Sequence, residues 1–182
     1  MIRVAFLPVL LVLCAAASAQ PRAVVVNGER VPEATLGALE AYFGVQVQEG
    51  AYWYDPYCGA WGFEGGPTVG LLPVGLPFSP DLRADASRGR TDVYVNGRRL
   101  PAEDLRAIEA LTGPVLPGRY WLDAYGNAGP EGGPAVVNLV RLARAAGGGS
   151  AFYRSDDTGV GAGSSGGTSY VMGPDWSVTV DW

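Results

Sequence analysis

The stretch that decides the fold is a short motif that occurs twice. Residues 26–32 read VNGERVP, and residues 95–101 read VNGRRLP. In both places a helix-like segment follows and ends at a glycine, Gly44 or Gly113. A repeat at this spacing indicates two copies of one structural unit. The repeat predicts the architecture of the chain and names no function.

Two later motifs extend the repeat. Residues 52–55 read YWYD and residues 120–123 read YWLD, while EGGP occurs at 64–67 and again at 131–134. Each copy therefore continues from the first motif through a helix to an aromatic segment and a closing turn. We define the first repeat as residues 23–67 and the second repeat as residues 92–134.

Local signals predict the same elements in each repeat. Asn27-Gly28 and Asn96-Gly97 are strong signals for a tight hairpin turn between two short strands. Leu36, Leu39 and Phe43 in the first repeat, and Leu105, Ile108 and Leu111 in the second, have the spacing of one helix face. A second hairpin follows at each aromatic motif. The sequence thus predicts an α+β fold, a tandem duplicated β-β-α-β-β unit packed about a pseudo-twofold axis as a single domain.

The rest of the chain completes this plan. Arg3, an apolar run and Ala17-Ser18-Ala19 predict a secretory signal peptide over residues 1–19, cleaved after Ala19. We expect the remainder to be one exported domain that is periplasmic, outer-surface or extracellular, with no transmembrane segment. Between and after the repeats we predict an ordered crossover at 68–91 and a C-terminal helix with short antiparallel strands at 135–182, including a Ser/Gly loop at 155–167.

Composition excludes several kinds of chemistry. The chain has a formal net charge of −5 and no basic run, which argues against a nucleic-acid partner. It contains no His and no Lys, which removes His-dependent triads, Schiff bases and Walker A phosphate binding. We therefore predict no cofactor and no metal. Of the two cysteines, Cys14 lies in the predicted signal peptide, so Cys58 has no internal disulfide partner.

Carboxylates that recur in both repeats are the candidates for catalysis. Asp55 and Asp123 open turns, where Asp commonly bonds backbone amides two residues on. Glu64 and Glu131 precede a Gly-Gly-Pro turn, where a structural role is equally natural. Facing each other, either pair would suit glycoside hydrolysis. Catalytic pairs need different environments, however, and a symmetric duplication works against that difference.

Aromatic residues crowd both predicted hairpins and are the candidates for binding. Flat exposed rings bind sugars, and Tyr and Trp are favoured at interfaces. Strand alternation places Tyr52 and Tyr54 on one face and Trp53 on the other, so one face lines the core. Whether Trp53 and Trp121 fill the core or contact a ligand stays open. The candidate binding residues are Tyr52, Trp53, Tyr57, Trp61, Tyr120, Trp121 and Tyr125.

The sequence leads us to expect an exported non-catalytic binding or structural module. Its partner would be a glycan or another envelope protein, contacted through the two aromatic hairpins. A carboxylate-based glycan hydrolase is one alternative, and a structural envelope protein that self-associates, through Cys58 for example, is another. The oligomeric state does not follow from the sequence.

Overall fold

The computed structural model describes residues 22–146 and the backbone of four short strands between residues 153 and 181. The predicted signal peptide lies outside the described residues. Helices and two five-stranded mixed sheets form a single α+β domain, as predicted. Within the described part of the chain, no helix has the length and apolarity needed to cross a membrane.

The first repeat forms a five-stranded sheet with one helix. Its elements are β1 (Val24–Val26), β2 (Glu29–Arg30), α1 (Glu33–Phe43), β3 (Gly50–Tyr54) and β4 (Ala60–Phe63), and β5 (Gly70–Leu71) follows. The strand order is β2-β1-β3-β4-β5. Neighbouring strands are antiparallel except β1 and β3, which are parallel because α1 connects them as a crossover.

The second repeat forms a sheet with the same order. Its elements are β6 (Val93–Val95), β7 (Arg98–Arg99), α2 (Ala102–Thr112), β8 (Gly118–Leu122) and β9 (Asn127–Pro130), and β10 (Val137–Asn138) follows. The order is β10-β9-β8-β6-β7, with β6 parallel to β8. Two sheets with one topology fit the duplication that the sequence indicates.

The two Asn-Gly turns have a structural task that explains their recurrence. Asn27 and Asn96 adopt positive φ angles of 52° and 49°, which Asn tolerates better than most residues. The Asn27 side chain then bridges β1 to β3, because it accepts from the Tyr54 amide at 2.9 Å and donates to the Tyr54 carbonyl at 2.8 Å. Asn96 makes the same pair of bonds with Leu122.

The C-terminal region differs from the prediction in two places. The predicted C-terminal helix does not begin at residue 135, because β10 pairs there with β9, and α3 spans Leu139–Ala145. Strand β12 (Gly161–Ser165) lies where a Ser/Gly loop was predicted. Its residues have a low strand propensity, and pairing with β13 (Thr168–Met172) holds them extended. The strands β11 (Tyr153–Arg154) and β14 (Ser177–Asp181) complete an antiparallel sheet of order β11-β12-β13-β14.

A hydrogen bond joins the second repeat to the first, and the equivalent residues of the first repeat do not make the reciprocal bond. Asn96 Nδ2 of the second repeat donates to Asp55 Oδ2 of the first repeat at 2.8 Å. A twofold arrangement would mirror this bond between Asn27 and Asp123. Asn27 instead donates to the Ser79 carbonyl, and Asp123 accepts from Asn127. The hydrogen bonds of Asn27 and Asn96 outside their own sheets therefore differ between the two repeats.

Candidate functional site

A cavity of about 570 Å³ lies between α1 and the first sheet, and we call it the aromatic cavity. Helix α1 contributes Leu36, Leu39 and Phe43 to its wall. Residues 44–48, which connect α1 to β3, form a second side. The chain that follows β5 closes a third side with Leu72, Leu76 and Phe78, and the sheet supplies the floor through Val24, Val26, Tyr52, Trp53, Tyr54, Trp61 and Phe63.

Three aromatic rings on one face of the β3–β4 hairpin form a continuous patch in this wall. The ring centroid of Tyr52 lies 6.1 Å from that of Trp61 and 5.2 Å from that of Phe63. Trp61 and Phe63 are 6.2 Å apart and close to perpendicular. Tyr52 and Trp61 are partly buried, while Phe63 is 52% exposed. The patch therefore extends from the core of the first repeat to the surface.

The patch belongs to the first repeat alone. Trp61 pairs with Tyr54 across the hairpin, and the equivalent pair in the second repeat is Ala128 with Leu122. Phe63 likewise corresponds to Pro130, since each pairs with the first tyrosine of its motif. Because the second repeat has the same sheet without these rings, the fold does not require them.

The buried polar side-chain groups of the cavity wall are almost all engaged. The Tyr52 hydroxyl donates to the Gln48 carbonyl at 2.9 Å, and the Tyr54 hydroxyl donates to the Pro73 carbonyl at 2.6 Å. Burial raises the pKa of Tyr52 and raises that of Tyr54 to about 12. The exception within the described residues is the Trp61 indole N–H, which is buried and has no acceptor.

Trp53 and Trp121 have the same structural role in their repeats. Trp53 is 1% exposed, and its indole N–H donates to the Gly66 carbonyl at 3.1 Å. Trp121 donates to the Gly133 carbonyl at 3.0 Å. Trp53 also supports the Arg98 guanidinium, which lies 3.9 Å from the ring centroid. Its side chain is therefore a core contact between the repeats.

The remaining tyrosines among the candidate residues divide into anchored and exposed side chains. The Tyr120 hydroxyl donates to the Leu116 carbonyl at 2.9 Å, as Tyr52 does to its own loop. Tyr57 and Tyr125, at the tips of the two hairpins, are 68% and 80% exposed. The aromatic candidates thus do not form one surface, and only Tyr52 and Trp61 share the cavity wall with Trp53.

The two recurrent aspartates hold turns, in the way that their positions predicted. Asp55 Oδ1 accepts from the Tyr57 amide at 2.8 Å, and Asp123 Oδ1 accepts from the Tyr125 amide at 2.9 Å. Asp55 is also buried, and its other oxygen accepts from Asn96. Both carboxylates are therefore committed to their turns, and Asp55 also holds the junction between the repeats.

The two recurrent glutamates each face an arginine. Glu64 lies 3.6 Å from Arg83, and Glu131 pairs with Arg119. The described contacts do not bring the two carboxylates together as a hydrolytic pair. Among the residues that the structure describes, no group of three or more His, Cys, Asp or Glu side chains is placed to hold a metal ion.

Cys58 lies in the core at the junction of the repeats, beside Trp53, Ala60 and Ala86. Cys58 belongs to the turn of the first hairpin, and its backbone amide donates a hydrogen bond to Asp55 Oδ1. Burial, with the nearby Asp55 charge, raises the pKa of the thiol well above its ordinary value. A neutral, enclosed thiol is a poor candidate for linking two chains.

Sequence reasoning missed the importance of Phe43 and Phe63 and of the buried pair Arg98 and Asp104. Phe63 lies two residues after Trp61 on a strand, so alternation alone places both rings on one face. Asp104 carries no such signal, because its burial depends on Thr68, at the start of the crossover that follows the first repeat.

Comparison with known proteins gives limited information. The chain is 33% identical over 117 residues to the extra-large guanine nucleotide-binding protein 1 of Arabidopsis thaliana. The match covers 60% of this chain and 13% of the plant protein, so the chain spans a small part of that relative. No family model matches the chain, and no solved structure matches it.

Proposed function

We propose that the chain is an exported, non-catalytic binding module that holds a component of the cell envelope in its aromatic cavity. Export rests on the predicted signal peptide. The binding role rests on a single observation, an apolar cavity of about 570 Å³ whose Trp61 and Phe63 rings have no counterpart in the otherwise equivalent second repeat. This volume is in the range of ligand pockets in proteins, about 300–1,000 Å³.

The contrast between the repeats supports binding over a purely structural role. Trp53 and Trp121 recur with the same hydrogen bond, as expected for residues that the fold needs. Trp61 and Phe63 do not recur, and a partly exposed aromatic patch in a concave surface is typical of recognition sites. The second repeat then serves as a scaffold that covers the Trp53 face of the first sheet.

The experiment mixes purified residues 20–182 with isolated cell envelopes, and separately with cell-wall sacculi and insoluble polysaccharides, and measures depletion of the protein and release of soluble sugar. We expect depletion without release. The Trp61→Ala variant introduces the residue that the second repeat has at this position, so it should fold and lose most of the binding. Tyr125→Ala is the matched control, an exposed aromatic residue outside the cavity, and should bind like the natural chain.

Two outcomes would contradict the proposal. Release of soluble sugar would favour the carboxylate-based hydrolase, and substitution of Glu64 and Glu131 by Gln would then be the next step. Equal binding by Trp61→Ala and the natural chain would remove the cavity from the site. The exposed hairpin tyrosines, Tyr57 and Tyr125, would be the remaining aromatic candidates.

A further inference from the structure

We propose that the ligand of the aromatic cavity is an uncharged acyl chain, inserted tail first, with its polar head at the loop of residues 44–48. This inference rests on the proposed function and names the ligand class for the same site. It differs from the sugar ring that the aromatic residues alone suggest. Four observations carry it.

The first observation is the chemistry of the wall. The described lining residues contain no Asp, Glu, Arg or other charged side chain. Leucine, valine and phenylalanine side chains surround the rings of Tyr52 and Trp61. Burial of apolar ligand surface is the interaction that such a wall provides.

The second observation is that the buried part of the wall, away from the rim, has little hydrogen-bonding capacity left. The hydroxyls of Tyr52 and Tyr54 already donate to backbone carbonyls within the repeat. A buried sugar ring would bring several hydroxyls that need partners, and each hydroxyl without one costs roughly 1–3 kcal/mol. The cavity therefore disfavours a polar ligand even though its rings are of the type that stack on sugars.

The third observation is a buried donor in the wall that has no partner. The Trp61 indole N–H is buried without an acceptor in the described part of the chain, which is uncommon for a native protein. Trp61 lines the cavity. One ligand acceptor, such as the carbonyl oxygen of an acyl ester, would satisfy this donor, whereas a plain alkane would not.

The fourth observation concerns the rim. Gln46 and Gln48 line the cavity within the 44–48 loop, and both residues are exposed. Their amides donate and accept hydrogen bonds without carrying charge. Because no cation lies among the described lining residues, these residues favour a neutral head over a carboxylate.

The test titrates the full exported chain with three monoacylglycerols, carrying octanoyl, decanoyl and dodecanoyl chains, each below its micelle concentration. Calorimetry measures the dissociation constants. An apolar cavity predicts tighter binding by about fourfold for each methylene, or ~15-fold between successive members of the series. Laurate, with the same tail and a charged head, should bind more weakly than the dodecanoyl ester.

Variants separate the contributions of ring and donor. Trp61→Phe keeps an aromatic ring and removes the N–H, so we expect the dodecanoyl ester to bind about fivefold more weakly. Trp61→Ala should lose both contributions and weaken binding further. Tyr125→Ala should leave the dissociation constant unchanged, and thermal melting checks that each variant folds.

The outcomes distinguish this inference from the proposed function. Chain-length dependence together with a loss in Trp61→Phe supports both. Binding of soluble cell-wall glycan fragments but of no acyl ester overturns the inference and leaves the proposed function standing. Binding of neither overturns both. Equal affinity for laurate and the dodecanoyl ester refutes the neutral head.

Discussion

Removal of the Asp104 carboxylate should destabilise the domain strongly, because this group neutralises a buried cation. The side chains of Arg98 and Asp104 are both 5% exposed, and Arg98 Nη1 lies 2.9 Å from Asp104 Oδ2. Asp104 also accepts from the Thr68 amide at 2.9 Å and from the Thr68 hydroxyl at 2.8 Å. Asp104→Ala leaves the guanidinium buried against Trp53 with no counter-charge.

The expected loss follows from the burial of the pair. Breaking a buried ion pair by removing one partner costs about 3–5 kcal/mol in the free energy of unfolding. With a denaturant slope near 2 kcal/mol/M for a domain of this size, the urea midpoint should fall by roughly 2 M. Asp104→Asn keeps an acceptor for Thr68 and removes only the charge, so its loss should be smaller than that of Asp104→Ala.

Urea unfolding followed by tryptophan fluorescence measures both variants. Asp85→Ala is the matched control, since it breaks the exposed Arg83–Asp85 pair, whose side chains are 56% and 70% exposed. That change should cost less than ~1 kcal/mol. If Asp104→Ala costs no more than Asp85→Ala, the argument from burial is refuted. Replacement of both Arg98 and Asp104 by apolar residues should recover much of the loss.

Three further predictions concern close packing and titration. Gly62→Ala should lower the melting temperature markedly, because its Cβ would lie 2.3 Å from the Pro67 carbonyl oxygen and 2.8 Å from the Trp53 ring. Gly37→Ala is the control, since there is open space around the position of its Cβ. At high pH the raised pKa of Tyr54 makes the folded state hold its proton longer than the unfolded state. The contribution of Tyr54 to the free energy of unfolding should therefore be present in full below pH 10 and decrease as the pH rises towards about 12. Urea midpoints measured across this window would show the decrease, and Tyr54→Phe should remove this part of it. At low pH, the hydrogen bonds from Arg22 and the Val47 amide lower the pKa of Glu40. Its contribution to the free energy of unfolding is therefore present above the ordinary pKa of 4.5 and is lost as the pH falls through the lowered pKa. An unchanged dependence of stability on acid pH in Glu40→Gln would contradict this.

The elements of each repeat could be predicted because their signals are local. The Asn-Gly turn, the helix stripe ending at a glycine and the aromatic hairpin all act within a few residues. The parallel pairing of β1 with β3 was not predicted, because it depends on how α1 crosses over the sheet. Strand β12 was missed because its pairing with β13, and not its own composition, makes Gly161–Ser165 extended.

The candidate site could be predicted only in part, for a physical reason. Alternation correctly separates Tyr52 and Tyr54 from Trp53, but it does not say which face is covered. Both faces are covered here, one by α1 and the other by Arg98 of the second repeat. The sequence therefore predicts which rings share a face, while their exposure depends on contacts between distant segments.

The contacts between the two repeats, from Asn96 to Asp55 and from Arg98 to Trp53, bear on whether a third repeat could be added to the pair. A head-to-tail contact that never closes generates a filament when every unit carries both complementary surfaces. Here the position of Arg98 is occupied in the first repeat by Glu29, which is exposed, so that end lacks the cation that docks on a tryptophan. At the other end α3 packs against β9, and Asn138 donates to the Tyr125 carbonyl. Each end of the described pair of repeats therefore differs from the junction at its centre, so a further repeat placed at either end would not find the same contacts.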